Sequence, residues 1–483
     1  MQLTNKRRKN AKQMKKWRTI RRFTCSALAF SALAYGPGVK AQDTKEPDIK
    51  ALLSRIDELE NKVKVLERNR EIDQDAVEEK KKTDPTFMIS GDGLAMRTAN
   101  SNFVAYVRGY AQLDGRFYPG TPNAANDTFL LRRVRPILEG TIYEKFDYRL
   151  MMDFGTGNGS ASTLGNNALL NDAYVNARFS PLLQLQAGKF KSPVGLERLR
   201  STADLTFVET GFATQLTPNY DLGIMLHNDL FKSPYSYAIG VFNGAADAGS
   251  DDADTTDAGK DVVARVFAQP WLDRDFEPLR RLGFGVGGSA GNHEGTLSSY
   301  KTAGQQNFFQ YDSRVAADGQ QYRIDPQLFY YWGPFGINGE YVLSSQRLKS
   351  TINGTSPHQR ISNRAWQAEA SYFLTGEENT FKPSSSVRVS PLKPFLNGGW
   401  GAFELAARLQ QITMDQYAFS KYSTAVSARQ ATAWGVGINW YLNRNVKFNL
   451  DYEVTSFSNG STAAGSVTGR QERTILSQIQ FAF

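Results

Sequence analysis

From about residue 86 onward, hydrophobic and polar side chains alternate along the chain with a period of two. In "FVAYVRGYAQLDGRF", Phe103, Ala105, Val107, Gly109, Ala111, Leu113, Gly115 and Phe117 form one row. Val104, Tyr106, Arg108, Tyr110, Gln112, Asp114 and Arg116 form the other. A strand shows successive side chains to opposite faces, so each such run predicts a two-faced strand. The pattern recurs in "NDAYVNARF", in "TAWGVGINWYL" and in the closing "RTILSQIQFAF". "GINWYLNRNVKFNLDYEV" predicts a hairpin with Ile438, Trp440, Val446, Phe448, Leu450, Tyr452 and Val454 on its apolar face. Asn439, Lys447, Asn449, Asp451 and Glu453 lie on its polar face. These runs have the ~9–11 residues that a tilted strand needs to cross a bilayer. Their connections alternate between tight ones ("YEKFD", "LNRN") and long Gly/Asn/Asp/Ser-rich ones ("GTGNGSASTLGNNALLN", "NGAADAGSDDADTTDAGKD"). Short turns on one side and long loops on the other predict an all-β fold, a transmembrane antiparallel β-barrel over residues 85–483.

Two other patterns precede the alternation. Ile49, Leu52, Ile56, Leu59, Val63 and Leu66 are spaced 3, 4, 3, 4, 3, the apolar seam of a coiled coil. Three heptads are too few to fold alone, so the segment 42–84 is expected to associate with further copies of itself, the bland alternative being a lone surface helix. Residues 1–41 read as a secretory leader: a long basic stretch, the apolar run "FTCSALAFSALAYG", and a small-residue cleavage site ending at Ala41, with Ala34 as its rival.

The leader changes the charge picture. It carries eleven of the 57 Lys/Arg and none of the 48 Asp/Glu, so its removal leaves 46 basic against 48 acidic residues. The formal +9 is therefore no argument for a nucleic-acid partner. Of the remainder, residues 42–84 hold 10 basic and 13 acidic residues, leaving the barrel with 36 against 35. Any charge preference must come from placement. The single cysteine, Cys25, lies in the leader.

Enzyme chemistry finds little footing. His227, His293 and His358 are far apart and have no metal-ligand spacing, and no nucleophile elbow or phosphate loop is present. No cofactor or metal is expected. The aspartates of residues 247–261 lack the ordered spacing of a calcium loop and read as a solvated external loop. The basic residues are more informative. In "FLLRRVRPILEG", Arg133 and Arg135 share a face with Glu139 and Thr141. A charge facing lipid at mid-bilayer costs roughly 2–4 kcal/mol, so that face, with Arg108 and Arg116 of the preceding strand, is expected to point into the lumen. Two readings stay open. The arginines hand an anion along a water-filled wall, or they pair with Asp114, Glu139, Asp153 and Asp172 and only neutralise the lumen. Pro136 removes a ladder donor and predicts a bulge.

At "LQLQAGKFKSPVGLERLRSTADLTFVETG" the chain resembles the phosphate-selective porin O and P family of Gram-negative outer membranes. The likeness extends through "FLLRRVRPILEG", "NDAYVNARF", "SYFLTGEENTFKPSSSVRVSPLKPF" and "GAFELAARL", covering residues 86–483. The terminal Phe483 also resembles the assembly signal of outer-membrane proteins. The resemblance implies sixteen strands, a homotrimer, and a constriction loop folding into the lumen after "GKFKSPVGLE". It implies that Arg132 and Arg133 begin a basic ladder, that Arg198 stands for a loop lysine, and that Ser201 and Thr202 are anion-binding hydroxyls. Lys189, Lys191 and Arg200 are further basic candidates. The chain departs from the pattern at Thr210 after Glu209, at Gly109-Tyr110, and at Asn171 beside Asp172, where the family has arginines and a carboxylate. The expected function is passive outer-membrane diffusion of small hydrophilic solutes, with anions as the leading class and phosphate a candidate among them. A carbohydrate-admitting porin, with Tyr106, Tyr110 and Tyr174 on the inner face, is the rival; a barrel enzyme or a coil-borne tether to peptidoglycan ranks lower. Lipid and lipopolysaccharide are the expected surroundings.

Overall fold

The computed structural model describes residues 49–120, 126–155, 169–229, 233–251, 258–352, 358–381, 388–458 and 470–483. The leader and both cleavage sites lie outside them. The chain forms two units, one ending at Ala76 and one from Val77 to Phe483. In the first, the heptad pattern is a single helix, α1 (Ile49–Thr83), and its seam is open: Ile49, Leu52, Ile56, Leu59, Val63 and Leu66 are all more than half exposed.

The second unit begins with a hairpin, β1 (Thr86–Ser90) and β2 (Gly93–Arg97), and continues as β3 (Phe103–Phe117), β4 (Thr128–Ile142), β5 (Phe146–Asp153), β6 (Leu169–Ser180), β7 (Leu183–Lys191), β8 (Tyr220–His227), β9 (Tyr235–Phe242), β10 (Asp261–Ala268) and β11 (Arg281–Gly295). A two-stranded excursion, β12 (Tyr300–Lys301) and β13 (Asn307–Phe309), precedes β14 (Val315–Trp332), β15 (Phe335–Ser350), β16 (His358–Phe373), β17 (Ala402–Thr413), β18 (Gln430–Tyr441), β19 (Val446–Ser458) and β20 (Gln471–Ala482). β3 to β11 and β14 to β20 pair antiparallel in sequence order, and β20 returns to β3 from Ile475↔Phe117 to Ala482↔Tyr110, closing a sixteen-stranded barrel. Phe483 continues the closure by exchanging both backbone hydrogen bonds with Gly109 (3.0 and 3.1 Å). Below it β2 takes over the same edge of β3, from Leu94↔Val107 to Arg97↔Val104. Closure joins the first and last wall strands so that neither is left as an open sheet edge, the condition for spanning lipid.

The faces follow the alternation. On β19, Lys447, Asn449, Asp451 and Glu453 are buried inward while Leu450 is half exposed outward. Short and long connections also alternate as expected, except that residues 269–280 and 374–401 make long connections on the short-turn side. The bulge is not at Pro136. Pro136 pairs with Gly109, whose own amide is spent on Phe483, and the ladder to β5 starts one residue later at Ile137. The extra residue is Arg132: pairing with β3 skips from Gln112↔Arg133 to Leu113↔Leu131. A second bulge inserts Asn171 into β6 between the partners of Met151 and Met152.

The lumen is filled by loops. Residues 192–219 cross it, pinned by wall side chains on the far side: Val208 donates to Asp451 (2.6 Å), Phe212 to Gln410 (2.6 Å), and Leu196 to Glu340 (2.6 Å). Residues 296–314 and 414–429 pack beside them. Phe212 and Leu216, Tyr300, Phe308, Phe309 and Tyr311, and Met414 and Tyr422 meet inward-facing Val342, Leu348, Ile361, Ile412 and Phe457 in one buried cluster. The acidic run is likewise not a solvated loop throughout. Asp247 accepts from Arg323 (2.8 Å) and Gln321 (2.9 Å), and Asp261 from His293 (2.9 Å) and Arg323 (3.3 Å), all buried; residues 252–257 lie outside the described residues.

Candidate functional site

The two bulges decide which side chains reach the pore. In strict alternation, one of two adjacent residues faces lipid; an inserted residue re-aims the strand so that both face in. Arg132, Arg133 and Arg135 are therefore all luminal and buried, as are Asn171 and Asp172. They flank the crossing loop, which opens at Gly195 (φ +84°) into the one-turn helix α2 (Leu196–Leu199). A Cβ at Gly195 would sit 2.8 Å from that of Arg198, so the turn that presents Arg198 needs glycine.

Two cavities meet at this level. The upper one, towards the long loops, has a volume of about 430 Å³ and is lined by Arg132, Arg133, Arg135, Lys191, Arg198, Arg200 and Lys301 against Asp153, Glu197, Glu209 and Asp247. The lower one, towards the short turns, is about 200 Å³. Arg135, Lys191, Thr202 and Tyr220 line both and form the neck between them.

Most arginines are already engaged. Glu209 is clasped by Arg132 (2.6 Å), Arg116 (2.9 Å) and Arg133 (3.3 Å). Burial raises its carboxyl, but the guanidiniums of Arg132, Arg133 and Arg116 prevail and hold it at about 2. Arg108 pairs with Glu139 (2.8 Å), Arg135 with Asp153 (2.7 Å), Arg149 with Asp172 (2.9 Å) and Arg200 with Glu369 (3.0 Å). The neutralising alternative thus describes the wall arginines. Arg135 also donates to the hydroxyls of Tyr110 (2.9 Å) and Thr202 (3.0 Å), tying the loop to the wall.

Three cations differ. Among the described residues, Lys191, Arg198 and Lys301 form no ion pair with a carboxylate. Lys191 donates to the Arg200 carbonyl (2.6 Å) and lies 5.7 Å from the Tyr220 ring centre. Arg198 donates to Thr217 (3.3 Å) and to the Thr214 carbonyl. Burial lowers the Arg198 guanidinium below its usual range, and burial with the charges of Arg132 and Arg116 lowers the Lys301 ammonium. Asn171 Nδ2 is buried beside them with no hydrogen-bond partner among the described residues.

Of the residues singled out from sequence, Arg132, Arg133, Arg135, Asn171, Lys191, Arg198, Arg200, Thr202 and Glu209 surround the upper cavity, and Ser201 and Asp172 the lower. Arg108, Arg116 and Lys189 line neither. Sequence reasoning did not single out Tyr220, at the start of β8, or Lys301, on β12.

The model of the family "Phosphate-selective porin O and P" matches residues 106–483. The chain belongs to that family. It is an outer-membrane porin, 27% identical to Porin O of Pseudomonas aeruginosa over 78% of this chain and 90% of that one. Among solved structures, the porin resembles an anion-selective porin from Comamonas acidovorans (12% identity, 79% of this chain and 100% of that one, TM-score 0.48). It also resembles the outer-membrane protein OmpT of Vibrio cholerae in a trimer form (11% identity, 79% and 99%, TM-score 0.48).

Proposed function

We propose that this porin is an anion-preferring diffusion pore without an enzymatic step, and that its preference is set at the neck by Lys191, Arg198 and Lys301. The observation carrying this is the surplus of cations around the upper cavity, three of them unmatched by any carboxylate among the described residues. The orphan Asn171 amide adds a donor to the same space. An anion held by an ammonium and single donors is exchanged easily, as conduction requires. Tight phosphate binding is not favoured, since Arg132 and Arg133 would have to give up Glu209 to grip a phosphate in bidentate fashion. The family name supports phosphate among the solutes.

We read the assembly as a homotrimer in lipid and lipopolysaccharide, with α1 in the periplasm as a self-associating coil that could approach peptidoglycan. The open apolar seam supports that association. The single-channel reversal potential of the purified protein in a potassium chloride gradient tests the pore reading. An anion-selective potential that collapses in the triple variant Lys191→Gln, Arg198→Gln, Lys301→Gln supports it; an unselective parent channel overturns it.

A further inference from the structure

The lower cavity, of about 200 Å³, is bordered by Met151, Met225 and Phe190, all on wall strands, by Pro193 and Leu199 of the crossing loop, and by Arg149, Asp172 and Gln186 of the wall. Tyr174 stands edge-on to Phe190 at 5.9 Å. The roof of this chamber is the neck, where Lys191 donates to a single carbonyl and Arg135 Nη2 makes no hydrogen bond among the described residues. An ammonium has three donors, so anion-directed N–H groups sit above a space bordered by the Tyr174 and Phe190 rings and two thioethers.

We propose that neck and chamber together form a subsite for a carboxylate borne on a flat aromatic ring, of the benzoate type. The carboxylate lies at Lys191 and Arg135, and the ring lies between Tyr174 and the thioethers of Met151 and Met225. This rests on the anion-preferring reading and names a solute class for it. Two features favour this ligand. A dry cavity of ~150 Å³ is enough for benzene, so the chamber takes a phenyl ring with little to spare. Thioether and ring-edge contacts suit an aromatic body.

The test is block of single-channel potassium chloride current by benzoate, acetate, phosphate, benzyl alcohol and glucose, added to either side. Benzoate is expected to half-block at roughly a tenth of the acetate concentration, the gain expected from partial burial of a ring. Benzyl alcohol and glucose are expected to block far more weakly. Met225→Gln, of similar size but polar, is expected to raise the benzoate value about tenfold with the chloride reversal potential unchanged, and Met225→Leu to restore it. Equal block by benzoate and acetate, equal block by a neutral ring or sugar, or indifference to Met225→Gln in a conducting channel overturns the subsite. A parent channel without anion selectivity overturns the pore reading instead, and the two failures are read from separate measurements on the same channel.

Discussion

Replacing Glu209 by Gln keeps the side-chain volume and removes one charge from the middle of Arg116, Arg132 and Arg133. The carboxyl is held at about 2 in place of its ordinary 4.5. A group whose folded value is depressed contributes stability above its unfolded value and loses it as pH falls through the folded one. At 1.36 kcal/mol per pH unit, Glu209 therefore contributes about 3 kcal/mol at neutral pH, lost between about pH 4.5 and pH 2. Breaking a buried charge network by removing one partner costs about 3–5 kcal/mol, which agrees. The variant should lose about 3 kcal/mol in urea unfolding in lipid bilayers at pH 7, followed by tryptophan fluorescence. The parent should converge on the variant as the pH approaches 2.

The same substitution has an opposite effect on the pore. It frees two adjacent guanidiniums that the Arg132 bulge turns to one cavity, and planar forks are suited to phosphate oxygens. Phosphate should then block chloride current at a concentration at least tenfold below that needed for the parent. A variant as stable as the parent at pH 7, with an unchanged acid limb and unchanged phosphate block, would refute the assignment of Glu209 as the lock on Arg132 and Arg133.

Lys301→Glu reverses a charge facing the upper cavity without touching a wall contact; the chloride-over-potassium permeability ratio should fall severalfold, with unfolding changed by less than about 0.5 kcal/mol. Phe308→Ala empties the centre of the intraluminal cluster, where Phe308 is 1% exposed, and should cost about 3–5 kcal/mol while conductance rises as the loops loosen. A peptide of residues 42–84 should sediment as an oligomer and become monomeric with Leu59→Asp; a monomeric parent peptide would sink the coil reading.

The wall was legible because period-two alternation is enforced by lipid on one side and water on the other. The bulges were not legible from alternation itself, yet the signal was there. Arg132-Arg133 and Asn171-Asp172 each place two polar residues side by side in a strand, and strict alternation would turn one of each pair to lipid at roughly 2–4 kcal/mol for a charge. A bulge between them is the cheaper solution. Pro136 drew attention to the wrong residue, because a proline costs no hydrogen bond when its neighbour's amide is already committed elsewhere. The second intraluminal loop also announced itself: Tyr300, Phe308, Phe309 and Tyr311 are too many aromatics for a segment bathed in water. The matching cue is Val342, Leu348 and Ile361 on the polar face of their strands, which marks the wall that the loops cover.

That division of labour explains how a barrel with almost no net charge can still discriminate. Many wall charges pair one to one, Arg108 with Glu139, Arg135 with Asp153, Arg408 with Glu453, and these cancel at the range of the pore axis, while Arg116, Arg132 and Arg133 share Glu209. The cations left over stand at the end of a strand or on loops, Lys191 at the last residue of β7, Arg198 on the crossing loop, Lys301 on β12. A loop residue can change without breaking the ladder that closes the barrel, whereas a wall arginine cannot change without stranding its carboxylate. Selectivity should therefore track substitutions in residues 192–219 and 296–314, and stability should track the paired wall charges.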